Sequence, residues 1–239
     1  MSDPSVNLEV PARALAVAAH PDDNEFGCAG TVAKWAAAGC EVIYVIATDG
    51  SKGTWSRDQS PAELVPRREG EQQAAASILG VGRVVFLRHT DGELENTMAL
   101  RREMAGWIRR LRPEVVVTHD AWRRYLLHPD HRAIGMATCD AVIASRDHLF
   151  FPEQLETGLD AWRPDRMLLY MTDTPDHVED ISSSFEAKIE ALRAHASQHV
   201  STMGDDFDAF IERMRQWAAR QGEPAGIACG EAFHVVSTR

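Results

Sequence analysis

Ala14 to Ala19 is a short apolar run that stops abruptly at His-Pro-Asp-Asp, the pattern of a buried strand opening into a loop at its carboxyl end. Thr31 to Ala38 has helical composition and halts at Gly39, and Glu41 to Thr48 (EVIYVIAT) reads as a second, β-branched strand closed by Asp49-Gly50. Ser51 to Pro66 is polar, carries Trp55 and two further prolines, and is expected to be a long loop. The alternation then resumes, with a helix over Arg67 to Leu79 capped by Gly80, a strand at Arg83 to Leu87, a helix over Thr97 to Leu111 and a strand at Glu114 to Thr118. Past an irregular segment, Asp120 to Leu127, the pattern predicts a helix from His131 to Ala144 and a strand from Met167 to Met171. It continues with amphipathic helices at Ser184 to His195 and Asp206 to Ala219, and a last strand at Ala232 to Val236. Strand and helix patterns in alternation imply an α/β fold, a mostly parallel sheet with helices on both faces in a three-layer, Rossmann-like sandwich. No internal repeat, low-complexity tract or Pro/Gly/Ser linker divides residues 1–239, so a single domain is expected.

Composition narrows the function more than the fold. Acidic residues outnumber basic ones 36 to 25, for a formal net charge of -11. Such a surface repels phosphate backbones, so nucleic acid is not an expected partner. No apolar run approaches the roughly 20 residues of a membrane span, and Met1 to Pro11 is polar, so no membrane association and a cytoplasmic location are expected. Cys28, Cys40, Cys139 and Cys229 form no C-x-x-C pair and read as reduced small hydrophobes rather than thiolate ligands. Neither a heptad pattern nor a long apolar stripe sets the oligomeric state, and a homo-oligomer is compatible with the chain.

Chemistry concentrates in two clusters. His20, Asp22 and Asp23 follow the first strand, at the strand end where open α/β sheets bind ligands. His128-Pro129-Asp130-His131 follows the strand at 114–118, at the same edge. Imidazole with carboxylate suits zinc or another divalent transition metal, and Pro21 stiffens a turn that can bring His20 and Asp23 to one centre. Either cluster alone is as ordinary as a turn with helix-capping aspartates. Two such clusters at one sheet edge point to a metal site, with the second supplying the remaining ligand. Three protein ligands would leave a position for water, the arrangement of a hydrolytic centre.

The stretch from Ala19 to Gly27 (AHPDDNEFG), followed later by His128-Pro129-Asp130-His131, resembles the paired signature of the PIG-L/LmbE deacetylases. Thr48-Asp49-Gly50, the Arg68-Glu69 helix start, Asp91-Gly92-Glu93-Leu94 and Lys188 to Gln198 resemble further family segments in the same order. The resemblance implies a zinc-dependent N-deacetylase acting on an N-acylated small molecule, most often an amino sugar, with amidases of thiol-conjugates or other natural products as the alternative. It implies zinc on His20, Asp23 and His131, Asp22 as general base, a protonated His128 stabilising the oxyanion, Asp130 orienting His128, and Arg68 and Asp91 at sugar hydroxyls. Two imidazoles and a carboxylate also describe an Fe2+ site. Many members place Glu directly after the Asp pair, whereas here Asn24 intervenes and leaves Glu25 without an assigned role.

Several residues carry ordinary readings beside functional ones. Trp55, Trp122 and Tyr125 are expected to pack their loops against the body of the protein, with stacking on a sugar as the alternative. His89 and His119 follow strands at the same edge and are candidates to support the ligands. His195 and His199 are left outside the core site, and Asp173 to Asp176 reads as a turn. A dinucleotide-binding oxidoreductase shares the βα alternation, but Gly27-x-x-Gly30 lacks the first glycine of the phosphate loop, and acids stand where a pyrophosphate would lie. A non-catalytic metal protein is the third possibility, and it would show four protein ligands rather than three.

Overall fold

The computed structural model describes residues 3–204 and 206–238. Its strands are β1 (Ser5–Val6), β2 (Arg13–Ala18), β3 (Glu41–Thr48), β4 (Arg83–His89), β5 (Val115–His119), β6 (Arg166–Tyr170), β7 (His177–Asp180) and β8 (Gly230–Ser237). The α-helices are α1 (Asp23–Gly27), α2 (Ala29–Ala37), α3 (Pro61–Leu79), α4 (Met98–Leu111), α5 (Pro129–Ser145), α6 (Pro152–Glu156), α7 (Phe185–Ala194) and α8 (Phe207–Gly222). All eight strands join one sheet in the order β1-β7-β8-β6-β5-β2-β3-β4. The run from β6 to β4 is parallel, while β8 lies antiparallel between β6 and β7.

Parallel central strands are covered on both faces, which is why β3 and β5 read as continuous apolar runs rather than alternating ones. On one face Leu15, Val17, Val45 and Val116 pack against Leu100, Met104 and Ile108 of α4 and Ile134 and Ala137 of α5. On the other, Ala14, Ala16, Tyr44 and Val117 meet Val32 and Trp35 of α2, Ala75 and Leu79 of α3 and Ala191 of α7. The chain leaves β2 toward β3 by way of α2, and leaves β5 in the opposite direction toward β6 by way of α5. Neighbouring strands whose connections diverge to opposite faces open a crevice at their carboxyl ends. His20 and His131 stand on its two sides.

The expected elements are present, and the main correction concerns residues 61–66, predicted as loop but helical as the first turns of α3. Ser60-Pro61-Ala62-Glu63 starts the helix: the Ser60 hydroxyl donates to Glu63 (2.9 Å), and Pro61 at the first helical position forfeits no hydrogen bond. Pro66 sits inside the helix, where proline usually breaks it, and this is what made the segment look like loop. Gly80 does end α3 as expected, in the left-handed conformation (φ 75°). The pairs β1/β7 and the short helices α1 and α6 have no counterpart in the sequence pattern, being too brief to carry a period.

A buried carboxylate ties the C-terminal strand to the site-bearing end of the chain. Glu231 of β8 accepts from Gly30 N (2.9 Å), Thr31 N (2.7 Å) and the Thr31 hydroxyl (2.6 Å), and pairs with Lys188 Nζ (2.6 Å). It satisfies the free N–H groups of the first turn of α2, which has no capping side chain of its own.

Candidate active site

The turn after β2 and the start of α5 bring two imidazoles and a carboxylate together. His20 Nδ1 lies 3.2 Å from Asp23 Oδ2, His131 Nε2 lies 3.2 Å from Asp23 Oδ1, and the two ring nitrogens are 3.2 Å apart. Ligands on a tetrahedral metal with bonds of about 2.0–2.1 Å stand roughly 3.3 Å from one another, close to the separation of the two ring nitrogens. The other ring nitrogen of His20 is held by carboxylates: Nε2 is 3.1 Å from Asp130 Oδ2 and 3.2 Å from Asp91 Oδ1. With a cation bound in place of the Nδ1 proton, a hydrogen bond from Nε2–H to these carboxylates would leave the Nδ1 lone pair facing Asp23 and His131.

Among the described residues three overlapping groups could hold a metal ion: His20 with His128 and His131, Asp23 with His119 and His131, and His20 with Asp91 and Asp130. Their surroundings separate them. Asp130 already accepts from Gly92 N (2.6 Å) and Leu94 N (3.1 Å), and Asp91 accepts from Lys52 N (2.9 Å), so these carboxylates serve the protein rather than the cavity. His128 Nδ1 accepts from Asp130 N (3.3 Å) as the N-cap of α5, which removes it as a donor from that side. His119 is fully buried behind Asp23, 3.3 Å from its Oδ2 and stacked on His131 at 4.2 Å. His20 and His131 each belong to two of these groups, and Asp23 lies 3.2 Å from a ring nitrogen of both.

The field around them favours a cation. Burial works against a charged His20, yet Asp23, Asp130 and Asp91 raise its pKa well above the ordinary value. Burial likewise disfavours an ionised Asp23, and His131, His119 and His20 overcome it, holding the carboxyl well below the usual range. Burial pushes His119 down to about 4, so it stays neutral beside Asp23. Burial also pushes Asp22 up to about 6 against the pull of Arg68. His128 is lowered, by burial first and then by His20 and His131, so the neutral ring with Nδ1 as acceptor offers an Nε2–H donor. This direction favours a neutral His128 where the resemblance implies a protonated one.

The cavity over these groups has a volume of about 590 Å³. His20, Asp22, Asp23, His128 and His131 form its floor, with Lys52, Gly53, Gln198 and Thr202 as polar walls and Phe26 and Met171 as apolar ones.

A family model described as PIG-L, GlcNAc-PI de-N-acetylase, matches residues 15–142, which span both clusters. The chain belongs to this family. It is 38% identical over 186 residues to the diacetylchitobiose deacetylase of Thermococcus kodakarensis, an alignment covering 78% of this chain and 70% of that one. It is 32% identical over 234 residues to the 1D-myo-inositol 2-acetamido-2-deoxy-alpha-D-glucopyranoside deacetylase of Mycolicibacterium gilvum, covering 80% and 82% of the two chains. The solved N,N'-diacetylchitobiose deacetylase of Pyrococcus horikoshii, complexed with its inhibitor MPG, superposes with a TM-score of 0.89 at 32% identity over 95% of this chain and 84% of that chain. The PIG-L member described here is accordingly an amide hydrolase of the deacetylase class, and no described helix is long and apolar enough to cross a membrane.

Other sequence expectations for this PIG-L chain are redistributed by the structure. Asp130 orients His20 rather than His128, which it meets only through its backbone N–H. Arg68 and Asp91 line the cavity, but Arg68 is buried and donates to Pro21 O (2.6 Å) and Gly50 O (2.9 Å), and Asp91 is engaged by His20 and Lys52. Trp55 and Tyr125 do not pack their loops down: they are 77% and 86% exposed, and Trp122 is exposed too. His89 turns away to Glu103 (2.8 Å), and His199 lies at the surface against Arg193 O. His195, set aside on sequence grounds, is fully buried with its Nε2 3.4 Å from Glu25 Oε2. Gln72 escaped the sequence reading altogether, because a glutamine in the middle of a helix carries no local signal. The cysteines are free, as expected, Cys28 and Cys40 buried and Cys139 and Cys229 partly so.

Proposed function

We propose that this protein is a zinc-dependent N-deacetylase that removes the acetyl group from an N-acetylated amino sugar in a small carbohydrate or glycoconjugate. The observation that carries the reading is the convergence of His20, Asp23 and His131, with His20 Nδ1 and His131 Nε2 3.2 Å apart and each 3.2 Å from one oxygen of Asp23, beside Asp22 in a cavity of about 590 Å³ that has both polar and apolar lining. Relatives named for diacetylchitobiose and for an inositol-linked 2-acetamido sugar support an amino-sugar acceptor. Zinc, or Fe2+ on the same donors, would supply a Lewis acid that lowers the pKa of a coordinated water to about 7.

The protein's own groups then divide the work. Asp22, buried in the cavity floor next to Asp23, takes a proton from the attacking water and later delivers it to the departing nitrogen. His128 directs its Nε2–H at the carbonyl oxygen as that oxygen gains negative charge. His20 is kept in one tautomer by Asp130 and Asp91, so its Nδ1 stays available. As the amide C–N bond breaks, water's oxygen leaves as part of acetate, one of its protons ends on the amine by way of Asp22, and the other is released to solvent or taken up by the amine. Lys52, Gly53, Gln198 and Thr202 provide the polar wall for the sugar, while Phe26 and Met171 present an apolar face to it.

The decisive assay measures amine release from N,N'-diacetylchitobiose, N-acetylglucosaminyl-inositol, an N-acetylcysteine conjugate and an acylated peptide, with zinc or Fe2+ added. Asp22→Asn is the control. Release from the two sugars by wild type, with Asp22→Asn at least about 100-fold slower, is the expected outcome. Turnover confined to the thiol-conjugate would replace the sugar by the amidase alternative. An Asp22→Asn variant as fast as wild type would remove Asp22 from the chemistry.

A further inference from the structure

The peptide unit joining Pro21 to Asp22 is gripped at both ends by one face of α3. Pro21 O accepts from Arg68 Nη2 at 2.6 Å, and Gln72 Oε1 accepts from Asp22 N at 3.0 Å. Arg68 and Gln72 are i, i+4 neighbours and so project side by side from the helix. The carbonyl and the N–H belong to one planar amide, and holding both fixes the orientation of that plane. This matters because Asp22 has φ 104°, a left-handed backbone conformation that a residue with a Cβ adopts only when its surroundings over-determine it. Its side chain makes no capping hydrogen bond in α1 that would hold the turn from within.

Gln72 is itself locked. Its Nε2 donates to Glu25 Oε1 at 2.9 Å, and the second carboxylate oxygen, Oε2, faces His195 Nε2 at 3.4 Å. A flipped amide would set NH2 against the Asp22 N–H and C=O against the carboxylate, so only one orientation satisfies both neighbours. Gln72, Glu25 and His195 are all 0% exposed, and none of them lines the cavity. A helix some 50 residues away in the chain thus supplies the acceptor for one backbone N–H next to the cavity, and Glu25 sets the orientation of that acceptor.

We propose that Gln72, anchored by Glu25, is a positioning residue for the reaction: it clamps the Pro21–Asp22 peptide in the left-handed turn that aims the Asp22 carboxylate into the cavity. This rests on Asp22 acting as the base. Gln72 touches neither substrate nor metal ligands, so its loss acts on turnover through Asp22 and leaves the His20, Asp23 and His131 donors in place.

The test is a double-mutant cycle of Gln72→Met, similar in volume but without an acceptor, against Asp22→Asn, reading kcat, KM, bound zinc and melting temperature. Gln72→Met is expected to lower kcat by about 10- to 100-fold, with KM within about twofold of wild type and one equivalent of zinc retained. In the Asp22→Asn background it should cost nothing further. The same fold loss in both backgrounds would overturn the clamp while leaving Asp22 as the base. Full turnover by Asp22→Asn would instead overturn the base, and the purpose of the clamp with it. The exchanged pair Gln72→Glu with Glu25→Gln guards against simple misfolding, since an acceptor again meets the Asp22 N–H and a donor again bridges residues 25 and 72. It is expected to keep kcat within about tenfold of wild type. A folded, zinc-loaded exchanged pair as slow as Asp22→Asn would overturn the proposal.

Discussion

His128 shows how one side chain's local duty decides its chemical one. Its Nδ1 accepts from Asp130 N as the cap of α5, and burial beside His20 and His131 lowers its pKa, so the ring stands neutral with Nε2–H free. His128→Ala is expected to lower kcat by about 100-fold or more, the usual cost of removing a donor to a developing oxyanion, while zinc stays bound at one equivalent. Steady-state kinetics beside metal analysis checks this, and loss of zinc would instead make His128 a ligand. That His20, Asp22, Asp23 and His131 meet at one cavity was legible in the sequence because each sits in a short contiguous motif at the end of a strand. The partner of Asp130 was not. Residues 128 and 130 are i, i+2 at a helix start, where side chains point to different faces, so the carboxylate reaches across 110 residues of chain to His20 instead.

At the scale of elements, the site depends on how closely α5 approaches the end of β5. Gly135 lies one turn beyond His131, and a Cβ built there would stand 2.7 Å from His119 O, a backbone atom that cannot swing aside. Alanine has the better helix propensity by about 0.5–1 kcal/mol, but a contact that short forces the helix outward. Gly135→Ala should therefore carry His131 away from Asp23 and weaken zinc binding by about 10-fold or more, read by competition with a chromogenic chelator. Unchanged affinity with a higher melting temperature would show that helix propensity wins. Nothing in the helical pattern of residues 131–144 marks this glycine as a contact point. The start of α3, in contrast, was written in Ser60-Pro61-Ala62-Glu63, a capping signal masked by the weight given to Pro66. That early start belongs to the same helix that sets Arg68 and Gln72 against the Pro21–Asp22 peptide.

For the whole molecule, the proposed ion would join the turn after β2 to α5, two segments about 110 residues apart in the chain. An ion that binds only the folded state at 100 times its dissociation constant stabilises by about 2.7 kcal/mol. For a chain of this length that corresponds to a rise in melting temperature of roughly 5–10 °C. Removing metal with a chelator should lower the midpoint by that amount and abolish turnover, and re-adding zinc should restore both. A midpoint indifferent to chelation, in a protein shown to have carried metal, would mean that the ion does not tie the two segments together.

By itself the sequence determined the alternation of strands and helices, the parallel character of the central sheet and the residues able to hold a metal, because each of these is encoded in stretches shorter than one element. Tertiary structure alone decided which partner each buried polar group takes: Asp130 with His20, Glu231 with the start of α2, and Gln72 between Asp22 and Glu25. It also decided that β8 inserts antiparallel between β6 and β7. The physical reason is common to all of these. A buried donor or acceptor must find a partner wherever the packed chain supplies one, and those partners lie tens to hundreds of residues away, beyond the reach of any local pattern.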